Sequence, residues 1–330
     1  MDRRLRQAMR SAIRDGDFDA LSAVIRTYLG DRLEIIVRAT TEDVVQGAML
    51  WDADTPQRSL LWLRDLSGAA HRIDRLLPLI ETYHASPAFR TGRVTFHIGD
   101  AARGRGLGFC SNDPETTLVP DVQFIRDEGY RDIRAGMEKT RRPWADRIGQ
   151  VIWRGSASGP FRNTNWERRP RIVMVRTVKD HPLFDVGLSG VTDQQASTPT
   201  MRQELIDDGS IKGFVSPDNF PHYKYQIDID GNTNSWAGLF VKLLTGSPVL
   251  KVASSAGYRQ WYYDRLVPWQ NFVPIAADCS DLIEKAEWLA AHDSHAREIG
   301  ARSLELANDL DYRKELERAA PAIAQAMRAR

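Results

Sequence analysis

His222–Val252, HYKYQIDIDGNTNSWAGLFVKLLTGSPVLKV, reads as strand, tight turn, helix, turn, strand. The β-rich run KYQIDID (224–230) stops at Gly231-Asn232. The small polar residues Thr233, Asn234 and Ser235 then open the apolar helix WAGLFVKLL (236–244), and SPVLKVAS (247–254) is the next strand. A turn of this kind sets backbone N–H groups and the positive end of a helix dipole at the carboxyl end of a strand. Such a corner suits an anion, most often the phosphates of a nucleotide. An ordinary βαβ turn whose Asn and Ser only cap the helix has the same pattern.

Outward from this segment, strands and helices alternate, the pattern of α/β layers around mostly parallel sheets. On the amino-terminal side, LEIIVRA (33–39) and RVTFHIG (93–99) are expected strands, and HRIDRLLPLIETYHAS between them has helical periodicity. TTLVPDVQFI (116–125) reads as a further extended segment interrupted by Pro120. QVIWRGS (150–156), the helix RPRIVMVRTVKDH and LFDVGLS (183–189) precede the opening segment. A short helix GYRQWYYDRL, the strand NFVPIAA (271–277) and three closing helices follow it. With 330 residues, two domains are expected: residues 1–149 on the acceptor side, and 150–330 as the nucleotide-binding half with the closing helices.

Composition excludes several classes. The 45 Lys+Arg are balanced by 44 Asp+Glu, so the basic excess of a general nucleic-acid binder is absent. No 18-residue apolar run offers a membrane span. Cys110 and Cys279 are far apart without metal-type spacing, which points to neither a disulfide framework nor zinc and suits a reducing, cytoplasmic setting. The start, MDRRLRQAMRSAIR, has no apolar h-region, so no signal peptide is expected. It is a basic amphipathic pattern that either packs on the first domain or rests peripherally on an anionic membrane through residues 1–14.

Candidate chemistry gathers at strand ends. Trp153-Arg154-Gly155-Ser156 closes a strand with a guanidinium, a bare backbone and a hydroxyl. Arg154 grips a phosphate bidentately or pairs with a nearby carboxylate. Arg168 and Arg169 precede a helix, where cations oppose the dipole unless an anionic ligand offsets them. Asp100 ends RVTFHIGD, a position suited to a general base or to a cap, with Asp121 as its rival. GDAARGRGLG lacks both the P-loop Lys-Ser/Thr and GxGxxG, which also disfavours a nicotinamide-dependent oxidoreductase. Trp261, Tyr262, Tyr263 and Trp269 are expected to pack the second half. His292 and His295 have no third ligand for a metal.

VIWRGSASG, KYQIDIDGNTNSWAGLFVKLLTGSPVLKV, QWYYDRLVPWQNFVPIAADCSDLIEKAEWL and HDSHAREIGARSLELA, in this order, resemble glycosyltransferase family 90. That family includes CAP10-type capsule proteins, animal protein O-glucosyltransferases and bacterial lipopolysaccharide-modifying enzymes; the GNTNSWAG form looks like the bacterial branch. The resemblance covers residues 93–310 well and the first 90 poorly. It implies a GT-B architecture, two Rossmann-like domains with the active site between them. It also implies a UDP-sugar co-substrate, inversion at the anomeric carbon, and no cofactor or tightly held metal. By the same resemblance Asp100 is the catalytic base. Arg154, Gly155, Ser156 and Arg168 hold the donor, and Gly231, Asn232, Thr233, Asn234, Ser235 and Trp236 surround its diphosphate. Animal members carry an Arg after the Ser-aromatic pair, where this chain has Ala237-Gly238, so Lys242 becomes a candidate for the missing charge. The expected acceptor is a hydroxyl of a bacterial surface glycan, such as lipopolysaccharide core or a lipid-linked glycan. The alternative is a non-catalytic nucleotide-sugar-binding scaffold of a glycan-assembly complex.

Overall fold

The computed structural model describes Ser11 and residues 33–38, 47–51, 59–62, 76–90, 92–161, 163–193 and 195–327. The basic segment 1–14, apart from Ser11, lies outside the described residues. The chain is α/β and divides into two compact units, residues 1–125 with 313–330, and residues 126–312. Two α/β units, each built on its own sheet, are the GT-B class of fold expected from the sequence. Position 150 lies inside the second unit, because α3 (Arg131–Thr140) packs on the turn Pro217–His222 of that unit.

The first unit holds a six-stranded sheet. Its strands are β1 (Leu33–Arg38), β2 (Gly47–Trp51), β3 (Ser59–Trp62), β4 (Arg93–His97), β5 (Gly106–Gly108) and β6 (Thr116–Leu118), in the order β3-β2-β1-β4-β5-β6. β1, β4, β5 and β6 run parallel, whereas β2 and β3 are antiparallel additions. The links from β1 to β2 and from β2 to β3 are each shorter than the dozen or so residues that a parallel crossover needs. α1 (Leu77–Ala85) falls within the expected helix. TTLVPDVQFI departs from expectation: it is strand only to Leu118 and becomes α2 (Val122–Arg126) after Pro120. Pro120 removes a ladder donor, and Asp121 Oδ1 accepts from the N–H groups of Gln123 and Phe124, starting a helix instead.

The second unit is wound on a fully parallel sheet. Its strands are β7 (Ile148–Ser156), β8 (Phe184–Gly190), β9 (Tyr223–Asp228), β10 (Val249–Val252) and β11 (Val273–Ile275), ordered β11-β10-β9-β7-β8. The interleaved helices are α4 (Pro170–Val178), α5 (Met201–Asp207), α6 (Ala237–Leu243), α7 (Leu282–Ala291) and α8 (Asp293–Asp309). α9 (Tyr312–Ala326) follows, and residues 313–327 group with the first unit. Helices cover the sheet, so its central strands read as nearly continuous buried runs: all four residues of β10 are buried. Tyr225, Ile227 and Ile229 join Val151, Trp153, Leu250 and Val273 in one hydrophobic core.

α6 is short and almost wholly enclosed: Leu239, Phe240, Val241, Lys242 and Leu243 are all buried. Gly246, at φ +67, turns the chain from α6 into β10, a left-handed position that glycine takes without strain. The expected helix GYRQWYYDRL is reduced to one tight turn at Tyr263–Arg265. Tyr262 instead buries completely, edge-on to Phe240 and Trp261, and Gly257 at φ +74 breaks the helical path.

Candidate functional site

In chain order the strands of the second unit run 2-1-3-4-5 across the sheet, so strand order reverses between β7 and β9. Crevices at such a reversal, outside the carboxyl ends of the strands, are where open α/β sheets bind ligands. The loops leaving β7 and β9 meet there. Asn232 Oδ1 accepts from the Gly159 N–H at 3.2 Å, tying one loop to the other.

Arg171, in the first turn of α4, seals the junction. Its Nε donates to the Asp230 carbonyl at 3.0 Å and its terminal nitrogens to Ser158 Oγ (2.9 Å), the Ser156 carbonyl (3.3 Å) and the Ile229 carbonyl (3.3 Å). Gly231 packs closely beside it: a Cβ there would come within 2.8 Å of Ser158 Oγ and 3.1 Å of an Arg171 nitrogen and would push those side chains aside. Burial draws the Arg171 pKa down while Asp228 and Asp230 pull it back up.

Alternation along β9 sends Tyr225 and Ile227 into the core and puts Asp228 on the opposite face, against α6, while Asp230, just past the strand, has Lys251, Ser254 and Arg171 around it. Asp228 is fully buried between two ammonium groups, Lys242 of α6 at 3.1 Å and Lys251 of β10 at 3.3 Å. Burial alone would raise its pKa, but Lys242, Lys251 and the Ser235 hydroxyl hold it at about 2. The Lys242 ammonium also bonds the Gly238 carbonyl, and a Cβ on Gly238 would lie 3.3 Å from it. Asp230 is driven the other way, to about 6, chiefly by burial, against Lys251, Ser254 and Arg171. Three basic side chains thus share two carboxylates, one of which resists ionisation, a formal surplus of one positive charge; burial draws the Lys242 pKa down while Asp228 pulls it back up.

Three polar atoms of this loop are buried with no hydrogen-bond partner among the described residues: Asp230 Oδ1, Thr233 Oγ1 and Asn234 Nδ2. Asn234 Oδ1 receives the Trp236 N–H at 2.6 Å, which fixes the amide so that its NH₂ is the orphan. Buried polar groups are nearly always paired, so three in one loop call for a ligand rich in acceptors and hydroxyls. Trp236 sits at φ 50, ψ −126, a strained backbone for a large residue and of the kind concentrated at binding sites.

The sequence-predicted residues divide. Gly231 to Trp236 form the loop as expected, although not every N–H there faces outward, since Asn234 takes that of Trp236. The α6 N–H of Leu239 is likewise occupied by Ser235 Oγ. Gly155 and Ser156 end β7 at the crevice. Arg154 turns to the amino end of the sheet, where it pairs with Asp185 at 2.6 Å beside the Tyr223 hydroxyl. The carboxylate-paired reading of Arg154 describes that contact. Arg169 is buried and spent on the carbonyls of Ala157, Phe161 and Gln195 and on Ser197 Oγ, whereas Arg168 is exposed with its guanidinium over the Phe161 ring. In the first unit, Asp100 is exposed just past the carboxyl end of β4, and Asp121 is fully buried as a helix cap. Sequence reading missed Arg171, Asp228, Asp230 and Lys251. Their signals were present: a lysine inside the apolar run VLKV, two aspartates at i and i+2, and an arginine in the first turn of a helix. Among the described residues no group of three or more His, Cys, Asp or Glu could hold a metal ion.

Fold and site together define an α/β protein with a cluster of buried basic side chains beside the strand-order reversal of a parallel sheet. The Glycosyl transferase family 90 profile matches residues 126–313, more than half of the chain, and the chain belongs to that family. Human Protein O-glucosyltransferase 3 is 28% identical over 212 residues, covering 62% of this chain and 38% of that protein. Protein O-glucosyltransferase 2 of Danio rerio is 28% identical over 161 residues, covering 47% and 28%. Uncharacterized protein 035R of Invertebrate iridescent virus 3 is 29% identical over 157 residues, covering 47% and 14%. The match therefore spans less than two fifths of each of these relatives. Among solved structures, TarM aligns at TM-score 0.41 and 11% identity over 98% of this chain and 87% of that one. HepE of Anabaena, solved with UDP-glucose, aligns at 0.36 and 12% over 56% and 51%.

Proposed function

We propose that the chain is an inverting glycosyltransferase that moves a hexose or pentose from a UDP-sugar to a hydroxyl of a surface glycan. The observation that carries the reading is the buried surplus of positive charge, with orphaned polar atoms, at the carboxyl ends of β9 and β10. An anionic diphosphate balances Lys242 and Lys251. The Thr233 hydroxyl and the Asn234 amide donate to its oxygens, and Asp230 accepts from a ribose or sugar hydroxyl. As the glycosidic bond to the diphosphate breaks, charge builds on the leaving oxygen where these groups already point. Membership of the family and the UDP-glucose bound by HepE agree with a uridine donor. Asp100 takes the proton of the attacking hydroxyl. Of the two carboxylates considered for that role, it alone is exposed. The lipopolysaccharide-type acceptor, the cytoplasmic site of action and the membrane contact of residues 1–14 belong to the same proposal and rest on the sequence. Among the described residues no helix is long and apolar enough to cross a membrane.

Calorimetric titration of the protein with UDP, UMP and uridine tests the donor site. UDP is expected to bind far more tightly than uridine, and Lys242→Met to weaken UDP about tenfold or more, as loss of a charged hydrogen bond does. Equal affinities for UDP and uridine would remove the phosphate role. Incubation with UDP-glucose, UDP-galactose, UDP-xylose and UDP-GlcNAc then reads turnover as released UDP. Asp100→Asn is expected to keep UDP binding and lose about 10²–10⁴-fold in rate. UDP binding with no turnover on any acceptor, indifferent to Asp100→Asn, would favour the non-catalytic scaffold.

A further inference from the structure

At the other end of the second unit's sheet, an open cavity of about 640 Å³ lies between α7 and the turn before β11. Its size falls within the roughly 300–1,000 Å³ of small-molecule sites. Trp269 forms one wall, and Glu284, Lys285, Glu287, Trp288 and His292 of and just beyond α7 form the other. Trp269 precedes β11, so the cavity is at the amino end of a parallel sheet whose carboxyl ends carry the proposed nucleotide site.

Its chemistry is unusual for a surface. Trp269 is 41% exposed, against the expectation that it packs the domain, and it is held at φ 61. A left-handed conformation costs a large residue about 1–2 kcal/mol, so the turn displays this ring at a structural cost. Trp288 meets it edge-on at 5.1 Å, and the His292 ring stacks on Trp288 at 4.3 Å. His292 Nδ1 lies 2.8 Å from the Trp288 carbonyl, to which it donates, leaving Nε2 as an acceptor. The polar rim presents Nε2, the carboxylate of Glu284 and that of Glu287, which His181 Nε2 meets at 3.4 Å, beside the Lys285 ammonium.

Charge narrows the occupant. A cationic ligand finds Trp269 already served, because Lys285 stands 5.9 Å from its ring centre, anchored on the Pro274 carbonyl and Asp281. An anion meets two carboxylates. What remains is a neutral molecule with a flat apolar face and hydroxyl donors at its edge. We propose that this cavity is a saccharide-binding site, distinct from the nucleotide pocket, that takes a neutral pyranose ring against Trp269 with its hydroxyls donating to Glu284, Glu287 and His292. Such a site holds an unreacting portion of a glycan chain.

The test is calorimetric titration of the full chain with maltohexaose, cellohexaose and laminarihexaose, with UDP titrated in parallel. Millimolar binding of at least one hexaose is expected, about tenfold weaker in Trp269→Ala, largely restored in Trp269→Phe, and weakened in Glu284→Gln, which keeps the fold. UDP affinity is expected to stay unchanged in all three variants. No binding of any hexaose, or binding indifferent to Trp269→Ala, would overturn the site. So would tetramethylammonium binding there in place of sugar, or a dimer in sedimentation that Trp269→Ala dissolves. Hexaose binding without UDP binding would leave this site standing and remove the donor reading; the reverse would do the opposite.

Discussion

Asp228 ends β9 and Asp230 lies two residues beyond it, and their pKa values are shifted in opposite directions. Asp228 is held at about 2 because the buried Lys242 and Lys251 outweigh its own burial, so its folded pKa is depressed. Its contribution to stability is present above the ordinary value of 3.8 and is lost as pH falls toward 2. Asp230 is raised to about 6, so the folded chain keeps a proton that the unfolded chain releases. Its contribution is present below 3.8 and is lost as pH rises through 6. Urea unfolding across that interval is expected to show a fall in stability with rising pH that Asp230→Asn removes. Parallel profiles for the two proteins would show that burial does not set this carboxyl. Asp228→Asn strands two ammonium groups without a counter-charge and is expected to cost about 3–5 kcal/mol. A loss near zero in the same assay would mean that the lysines reach solvent. The sequence displayed both aspartates, yet nothing in IDID separates their pKa values. That separation depends on which lysines the fold brings beside each carboxyl.

At the scale of elements, the crevice depends on how β7, β9 and α4 are locked. Arg171 reaches carbonyls or hydroxyls on the loops of both strands, and its planar fork serves several acceptors at once. Lysine keeps the charge but not the fork. Arg171→Lys is therefore expected to cost about 2 kcal/mol, a fall in Tm of roughly 4–8 °C for a unit of this size, and to weaken UDP binding. An unchanged Tm would show that the loops hold each other without it. Most strands and helices of the second unit were legible from periodicity, because parallel strands buried on both faces leave unmistakable apolar runs. The misread elements have local causes. Asp121 seizes two N–H groups and converts an extended run into α2, and Tyr262 leaves a helical path to fill the core beside Phe240. Arg154 looked like a phosphate ligand because it sits near a strand end. A long side chain reaches either edge of a sheet, and Asp185 with Tyr223 draws this one to the amino end.

At the scale of the molecule, two boundaries coincide and the core falls within them. The second compact unit is residues 126–312, the family match is 126–313, and the hydrophobic core from Val151 to Ile299 lies wholly inside both. A fragment of residues 126–312 is expected to unfold in one cooperative calorimetric transition and to bind UDP without catalysing transfer, since Asp100 lies outside it. A broad, non-cooperative transition would show that the second unit needs the first. The order and spacing of VIWRGS, KYQIDIDGNTNSWAG and SPVLKVAS were enough, by themselves, to establish the α/β class and the family, and to single out the loop at which an anion is proposed to bind. They sufficed because strand periodicity, glycine turns and polar helix starts are local properties that the chain carries wherever it folds. Only the tertiary structure decided which cations serve that loop: Lys242, Lys251 and Arg171 in the pocket, with Arg154 at the far edge and Arg169 buried in loop carbonyls. The choice depends on burial and on which carboxylates lie within reach, and those distances exist only once five strands have been placed side by side.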